Sequence, residues 1–233
     1  MQTRPPARLL SRAVIRQGRI FRIEVDTVTL PTGHTVEMEV IRHPGSVVLL
    51  PVPTPGQVIL IRQYRYTIDR YIWELPAGSL KPGEDPDLAA ARECEEEIGL
   101  VPRRTERLKA FYPTPGFCDE LMIFYRCTEL EQPAADSTAQ KDEDEDIEPR
   151  TFTVDEARQL VASGEIVDLK TVAGLTLLKK ETTKTRRPRR TARRSLLGCH
   201  ACCPRGSFVR PSQSSCLRGF LLYCSDAWAR ARP

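Results

Sequence analysis

Apolar and polar side chains alternate with a period of two along residues 19–64, which is typical of half-buried β-strands. The alternating or continuous apolar runs are separated by turn sequences rich in proline and glycine. The runs cover residues 21–25, 36–40, 47–52 and 58–64. This pattern predicts a meander of antiparallel strands.

The period changes to that of a helix after residue 78. Asp85 is a suitable N-cap, Pro86 suits the first helical position, and Gly99 suits the end of the helix. Leu88, Ala91 and Ile98 fall on one stripe between these signals. We therefore predict a helix over residues 86–98.

Strands resume beyond this helix, and two helices close the folded region. The predicted strands cover residues 107–112, 121–127 and about 148–153, and the predicted helices cover residues 154–162 and 170–180.

The C-terminal segment differs from the rest of the chain in charge. Residues 179–233 contain 14 Lys/Arg against 2 Asp/Glu, whereas residues 1–178 contain 21 against 29. An acidic body therefore carries a basic tail that lacks apolar periodicity. We predict N-terminal strands over residues 1–44, a main domain over 45–180 and a disordered tail over 181–233.

The composition narrows the class of protein further. With 40% apolar and 6% aromatic residues, the chain suits a globular core and excludes a collagen-like or wholly disordered protein. Residues 1–10 are not followed by the apolar stretch of a signal peptide, and no later run approaches a bilayer span. We expect a cytoplasmic protein that does not engage a membrane and whose eight cysteines are reduced.

Three glutamates on the predicted helix are the candidate reactive groups. Glu93, Glu96 and Glu97 are three and four residues apart, so their carboxylates share one helix face. On an exposed helix such like charges repel by about 0.2–0.5 kcal/mol per pair, and a divalent cation would remove this repulsion. Their hard oxygens suit Mg²⁺ or Mn²⁺ better than Zn²⁺. For three glutamates alone, a solvated acidic face is the alternative interpretation.

The residues around these glutamates favour the metal site. The spacing of Gly78, Glu84 and residues 92–100 (RECEEEIGL) resembles the Nudix box, with Cys94 where an aliphatic residue is usual. The resemblance implies an α+β Nudix fold with a mixed sheet between helices. It also implies a pyrophosphohydrolase that uses a divalent metal to cleave a nucleoside diphosphate linked to another group.

The resemblance to the Nudix box assigns roles to individual residues. Glu84 is either a structural residue of the loop or a remote metal contact. The remaining roles are Glu93 and Glu97 as principal metal ligands, Glu96 as a supporting ligand, the Ala77 carbonyl as a further ligand, and Arg92 as the residue that orients the glutamates.

Segments outside the box resemble the ADP-ribose pyrophosphatase group. They are residues 62–65 (RQYR), 73–78 (WELPAG) and 111–117 (FYPTPGF), and Pro115 stands at the position of a proline that marks this group. The resemblance implies that the substrate is ADP-ribose or a related ADP-sugar. It also implies a homodimer that exchanges its N-terminal strands.

Further site residues follow from the resemblance to this group. The acidic loop 142–148 (DEDEDIE) resembles the loop that supplies a catalytic glutamate, and we assign that role to Glu143 with Glu145 as second choice. A solvated acidic linker is the alternative interpretation of this loop. Arg65 is a candidate clamp for the substrate phosphates, because a planar guanidinium matches phosphate oxygens. Arg42 resembles a substrate-binding position that the group offers across its dimer interface.

Two hypotheses from different functional classes remain. The first is a Nudix hydrolase, and the second is a Nudix-fold ligand sensor that binds nucleic acid through residues 186–194. The intact box glutamates favour the enzyme, because a sensor does not need them. Nucleic-acid binding is not expected, since the tail lacks interleaved aromatics. Cys199 and Cys202 have CxxC spacing without a matching second pair, so no zinc site is predicted.

Overall fold

A computed structural model of the chain describes residues 5–135 and 146–178. These residues belong to one unit of the chain, Met1–Lys184. Glu143, Glu145 and the tail over residues 181–233, for which we predict disorder, lie outside the described residues.

The described residues form strands and helices in the following order: β1 (Arg8–Gln17), β2 (Arg22–Thr29), β3 (Thr35–Arg42), β4 (Ser46–Pro51), β5 (Gln57–Arg65), a short 3-10 turn (Tyr66–Ile68), β6 (Arg70–Glu74), β7 (Ala77–Ser79), α1 (Pro86–Ile98), β8 (Val101–Phe111), β9 (Met122–Glu131), β10 (Ile147–Thr153), α2 (Val154–Ser163) and α3 (Leu169–Leu177).

These strands form three sheets. Their orders are β1-β2-β3, β10-β5-β6 and β7-β4-β9-β8. The pairing of β4 with β9 is parallel, whereas the other pairings are antiparallel. The predicted continuous meander is therefore wrong beyond β3, because β4 and β5 belong to different sheets. Strand β4 pairs with β7 and β9, and β5 pairs with the neighbouring β6 and with the distant β10.

The four-stranded sheet lies between helices. Every residue of β4 is buried, because alternate side chains enter two cores. Val47 and Leu49 pack in the core that contains Cys94 of α1, whereas Val48 and Leu50 pack in the core that contains residues of α2 and α3. This arrangement confirms the predicted α+β class and the mixed sheet between helices.

Helix α1 has the predicted bounds because the sequence caps both of its ends. The Asp85 side chain accepts a hydrogen bond from the Asp87 N–H at 2.9 Å, and Pro86 begins the helix. Gly99 ends the helix with φ of 69°, a left-handed conformation that glycine adopts without strain. Of the described helices, none is long and apolar enough to cross a bilayer.

The N-terminal sheet buries its charged residues rather than its apolar ones. Glu24 and Asp26 of β2 are 1% and 4% exposed, and the guanidinium groups of Arg12, Arg22 and Arg42 surround them. The hydrogen bonds from these arginines hold the pKa of both carboxyls below their usual range. The alternation of β2 correctly predicts a strand, but the face that it buries most deeply is the acidic one.

Candidate active site

Helix α1 presents two buried carboxylates to strand β7. Glu93 and Glu97 are 8% and 2% exposed. The antiparallel pairing of β7 with β4 holds Ala77 and Gly78 beside α1, and the Ala77 N–H donates to Glu97 Oε2 at 3.0 Å. The structure therefore brings four of the predicted site residues together.

Gly78 provides the space that Glu93 occupies. A Cβ atom built on Gly78 would lie 2.0 Å from the Glu93 Cδ atom and 2.0 Å from its Oε1 atom. No side chain tolerates such an approach, so a glycine is required wherever Glu93 adopts this position. This packing gives a physical reason for the glycine at this place in the motif.

Arg92 connects Glu84, in the loop before α1, with Glu93 and Glu96 on the helix. Its Nε and Nη2 donate to the two oxygens of Glu84 at 2.8 and 2.9 Å, and its Nη1 donates to Glu93 and Glu96 at 2.6 and 2.7 Å. The Arg92 hydrogen bond lowers the pKa of Glu84, and the same bond is the main cause of the raised pKa of Arg92. The Lys81 N–H also donates to Glu84. Glu84 therefore connects the backbone of the loop before α1 with the Arg92 side chain of the helix.

A cavity of about 600 Å³ opens beside these groups. Its wall combines carboxylates with cations, which suits a ligand that carries phosphate groups together with a divalent cation. The charged side chains in this wall are Arg19, Arg65, Lys81, Arg92, Glu93 and Glu96. Within residues 5–135 and 146–178, no three Asp, Glu, His or Cys side chains already stand in a metal-binding arrangement. Glu93 accepts a hydrogen bond from Arg92, and Glu97 accepts one from the Ala77 N–H.

A second cavity of about 380 Å³ shares Arg65 and residues 77–79 with the first. Arg65 donates through Nε to Glu74 at 2.8 Å, and Glu74 is 1% exposed. Glu74 also accepts a hydrogen bond from the buried Lys170, which contacts Asp168 at 3.1 Å. These contacts position the Arg65 guanidinium between the two cavities.

Lys170 and Asp168 were not identified as site residues from the sequence. Lys170 lies on α3, and Asp168 lies just before it. Both are about a hundred residues after Arg65, and no local sequence motif connects them with Arg65. Lys81 and Arg19 were also missed, because isolated basic residues in a loop carry no distinctive signal. Only the folded chain brings these cations to the cavity wall.

The other predicted site residues lie away from this wall or outside the described residues. Arg42 is held within its own chain by Glu24 at 2.8 Å, Asp26 at 2.5 Å and Asp119 at 3.1 Å. Glu143 and Glu145 belong to the segment that the structure does not describe. Asp146 follows that segment and accepts a hydrogen bond from the Tyr71 hydroxyl.

Cys94 occupies a packing position, as its apolar character predicts. It is fully buried among aliphatic residues and lies next to Cys127. The contact with Cys127, together with burial, raises the pKa of its thiol.

Comparisons with known proteins agree with this arrangement. A family model described as "NUDIX domain" matches residues 42–173. An ADP-ribose pyrophosphatase from Bacillus subtilis (strain 168) is 35% identical over 170 residues, which cover 73% of this chain and 91% of the relative. A methanol dehydrogenase activator from Bacillus methanolicus is 38% identical over 165 residues, which cover 71% and 88%.

One solved structure shows the same fold. It is described as the crystal structure of an ADP compounds hydrolase, and it superimposes with a TM-score of 0.64 at 20% identity. The superposition covers 76% of this chain and 94% of that structure.

Proposed function

The chain belongs to the Nudix family of hydrolases, and on that premise we propose that it cleaves the diphosphate bond of ADP-ribose or a related ADP-sugar. The products are AMP and a sugar phosphate. The observation that carries the proposal is the packing of Glu93 against Gly78, beside Glu97, at the wall of a cavity that Arg65 also lines. The relative named an ADP-ribose pyrophosphatase supports the choice of substrate.

We assign the metal site to oxygen ligands on α1 and β7. Glu93 and Glu97 would hold a divalent cation, with Glu96 and the carbonyl of Ala77 as further ligands. Oxygen donors of this kind suit Mg²⁺, and Mn²⁺ is an alternative. The missing side chain of Gly78 supports the fit, because a Cβ there would displace the Glu93 carboxylate. When bound, the cation neutralises diphosphate charge and lowers the pKa of a bound water.

The cations in the cavity wall would bind the phosphate oxygens. The guanidinium of Arg65 offers N–H donors in a planar fork that matches phosphate oxygens. Its Nε is already held by Glu74, so the direction of the guanidinium is fixed before substrate binds. Lys81 and Arg19 line the same cavity and would add positive charge around the diphosphate.

The general base is assigned to the acidic loop before β10. Glu143 would take a proton from the attacking water or orient it, and Glu145 is the second choice. A positioned carboxylate in this role contributes about 10²–10⁴ in rate.

A homodimer formed through residues 1–44 is part of the proposal. The N-terminal region exposes large apolar side chains, including Val14 and Ile15 of β1 and Phe21 just before β2, which are 56%, 63% and 43% exposed. Burial of such a surface is the usual driving force for association. Arg42, on the same sheet, would then contribute to the substrate site of the partner subunit.

A panel of nucleotide sugars tests this function. The purified chain is incubated with ADP-ribose, ADP-glucose and GDP-mannose in excess Mg²⁺, together with ATP and capped RNA, and the products are separated. ADP-ribose is expected to give the highest kcat/KM, with AMP and ribose 5-phosphate as products. Much faster turnover of ATP or capped RNA would refute the substrate assignment. Binding of these nucleotides without turnover would favour the ligand-sensor hypothesis.

A further inference from the structure

Lys170 of α3 is a buried cation at the wall of the 380 Å³ cavity. Its side chain is 8% exposed, and its ammonium donates hydrogen bonds to Glu74 and Asp168. Removing an ammonium group from water costs free energy, and a buried ion pair often stabilises a fold no more than apolar residues of similar volume. A role in the cavity, rather than stability alone, would explain a lysine at this place.

The main partner of Lys170 is also the partner of Arg65, the candidate phosphate clamp. The Glu74 carboxylate is 1% exposed, and its two oxygens accept from different cations. Oε1 accepts from Arg65 Nε at 2.8 Å, and Oε2 accepts from Lys170 Nζ. The Arg65 side chain is 40% exposed and lines both cavities. Glu74 therefore lies between an exposed cation that faces the cavities and a buried cation of α3.

The second partner of Lys170 is better satisfied by other groups. Asp168 is the N-cap of α3, and its Oδ2 accepts from the N–H and the hydroxyl of Thr171 at 2.9 and 2.5 Å. The positive end of the helix dipole offsets part of the Asp168 charge as well. The positive charge of Lys170 is thus available mainly to Glu74, and solvent screens this buried pair only weakly.

The charge of Glu74 matters because it can cancel the charge of Arg65. Arg65, Glu74 and Lys170 together carry one net positive charge, whereas Arg65 and Glu74 without the lysine carry none. A phosphate on Arg65 would lie on the order of 10 Å from the Lys170 ammonium, because a carboxylate and a guanidinium stand between them. A unit charge at that distance changes the affinity of an anion by about tenfold at the effective dielectric constant of a protein.

We propose that Lys170 is a positioning residue that acts on the substrate through Glu74. Its ammonium neutralises the Glu74 carboxylate, so that the carboxylate can hold Arg65 in place without cancelling the positive charge that Arg65 offers to a diphosphate. This inference rests on the proposed binding of a diphosphate at Arg65 and adds to that site a residue that the substrate does not touch.

The test compares Lys170→Met with the double variant Lys170→Met/Glu74→Gln, in the full-length chain. The double variant restores one net positive charge, and the glutamine oxygen can still accept from Arg65 Nε. The matched control is Arg158→Met, which also removes one cation that contacts α3. Arg158 donates to the carbonyls of Leu175 and Leu178 at 3.3 and 2.7 Å and is not part of either cavity wall.

Two ligands are titrated by calorimetry in excess Mg²⁺. The first is an unreactive methylene analogue of ADP-ribose, and the second is inorganic pyrophosphate, which has the diphosphate without a sugar. The Tm of each variant is measured, and kcat and KM are determined with ADP-ribose.

We expect Lys170→Met to bind the analogue about tenfold more weakly than the wild type does. The loss should appear in KM with kcat nearly unchanged, because the substrate carries its phosphate charge both before and during cleavage. The Tm of this variant should fall, since a buried carboxylate loses a partner. The double variant should regain an affinity within about threefold of wild type, and Arg158→Met should keep wild-type affinity.

Two results would overturn the proposal. One is wild-type affinity in folded Lys170→Met. The other is a folded double variant that binds as weakly as Lys170→Met, which would assign Lys170 to the packing of α3 alone. If Lys170→Met does not fold, the double variant decides, because it leaves no buried carboxylate at residue 74 without a cation.

The two ligands separate this proposal from the substrate assignment. A wild type that binds pyrophosphate but neither binds the analogue nor hydrolyses ADP-ribose would refute only the substrate assignment, and the variants would then be compared with pyrophosphate. A wild type that binds neither ligand would refute both proposals.

Discussion

At the residue scale, Arg92 and Gly78 explain how three glutamates share one short stretch of helix. Arg92 supplies positive charge to Glu93 and Glu96, which offsets part of the repulsion among the three helix glutamates, and it also pairs with Glu84 in the loop before α1. Gly78 leaves room for the Glu93 carboxylate. The sequence predicted the shared helix face of the glutamates from their spacing, but the contact between Gly78 and Glu93 depends on the pairing of β7 with β4 and became visible only in the folded chain.

Substitution of Gly78 tests this close contact. In Gly78→Ala the new methyl group would lie 2.0 Å from the Glu93 Cδ atom, so the carboxylate must move. We expect turnover to fall by roughly 10²-fold, as for a misplacement of about 1 Å in other active sites, while the protein stays folded by circular dichroism. Gly116→Ala is the control, because a Cβ at Gly116 meets nothing within 4 Å. Equal turnover of the two variants would mean that the position of Glu93 is unimportant.

A second prediction concerns Glu143 and Glu145 of the acidic loop 142–148 and separates an effect on rate from an effect on Mg²⁺ affinity. Glu143→Gln should lower kcat by about 10²–10⁴ and leave the Mg²⁺ concentration for half-maximal rate unchanged, because the proposed role of Glu143 is to act on the water. Rates are measured against Mg²⁺ concentration for Glu143→Gln and Glu145→Gln. If Glu145→Gln is the inactive variant, the base lies two residues later than we assign it. If both variants are active, the loop does not supply the base.

At the scale of elements, the helices could be predicted from local sequence signals, whereas the sheets depend on pairing between strands that are distant in sequence. Helix α1 was predicted to the residue because its caps are adjacent in sequence, and α2 was predicted to within one residue. The partner of β4 could not be predicted, since β9 follows it by about seventy residues. Strand β1 was missed because all ten of its residues are exposed, and β7 was missed because it has three residues.

The ion cluster of the N-terminal sheet should make stability depend on acid pH. The folded pKa values of Glu24 and Asp26 lie below their ordinary values of 4.5 and 3.8, so the ionised carboxylates stabilise the fold. This stabilisation is present above about pH 5 and is lost as the pH falls through the folded pKa values. The fall in Tm between pH 6 and pH 3 should therefore be smaller in the variant Glu24→Gln/Asp26→Asn than in the wild type.

The exposed carboxylate Glu37 of the neighbouring strand provides a control for the ion cluster. Glu37→Gln should show the same fall in Tm as the wild type. An equal fall in the cluster variant would contradict the inference that these buried ion pairs stabilise the sheet at neutral pH.

At the scale of the whole molecule, the groups proposed for catalysis all come from the region before residue 179. The family model matches residues 42–173, and the described strands and helices end at Leu177. The basic segment beyond contributes no residue to the proposed reaction. Composition alone separated these two regions in the sequence, through the opposite signs of their charge.

Truncation after Lys180 tests whether the C-terminal segment is needed. We expect the shortened protein to keep the kcat and KM of the full chain for ADP-ribose when rates are normalised to folded protein. The comparison is made at two salt concentrations, since a contribution from the basic residues to substrate attraction would be screened by salt. A large loss of kcat on truncation would show that the segment takes part in the reaction.

The central claim is that the glutamates of α1 form a metal-dependent hydrolytic site for ADP-ribose. The most direct measurement is the rate of AMP release from ADP-ribose against Mg²⁺ concentration, for the wild type and for Glu97→Gln. The wild type should release AMP and ribose 5-phosphate and lose this activity when the metal is chelated. Glu97→Gln preserves size and polarity but removes a negative charge, so its rate should fall by several orders of magnitude and its response to Mg²⁺ should weaken. Wild-type rates in Glu97→Gln, or unchanged AMP release by the wild type after chelation, would contradict the claim.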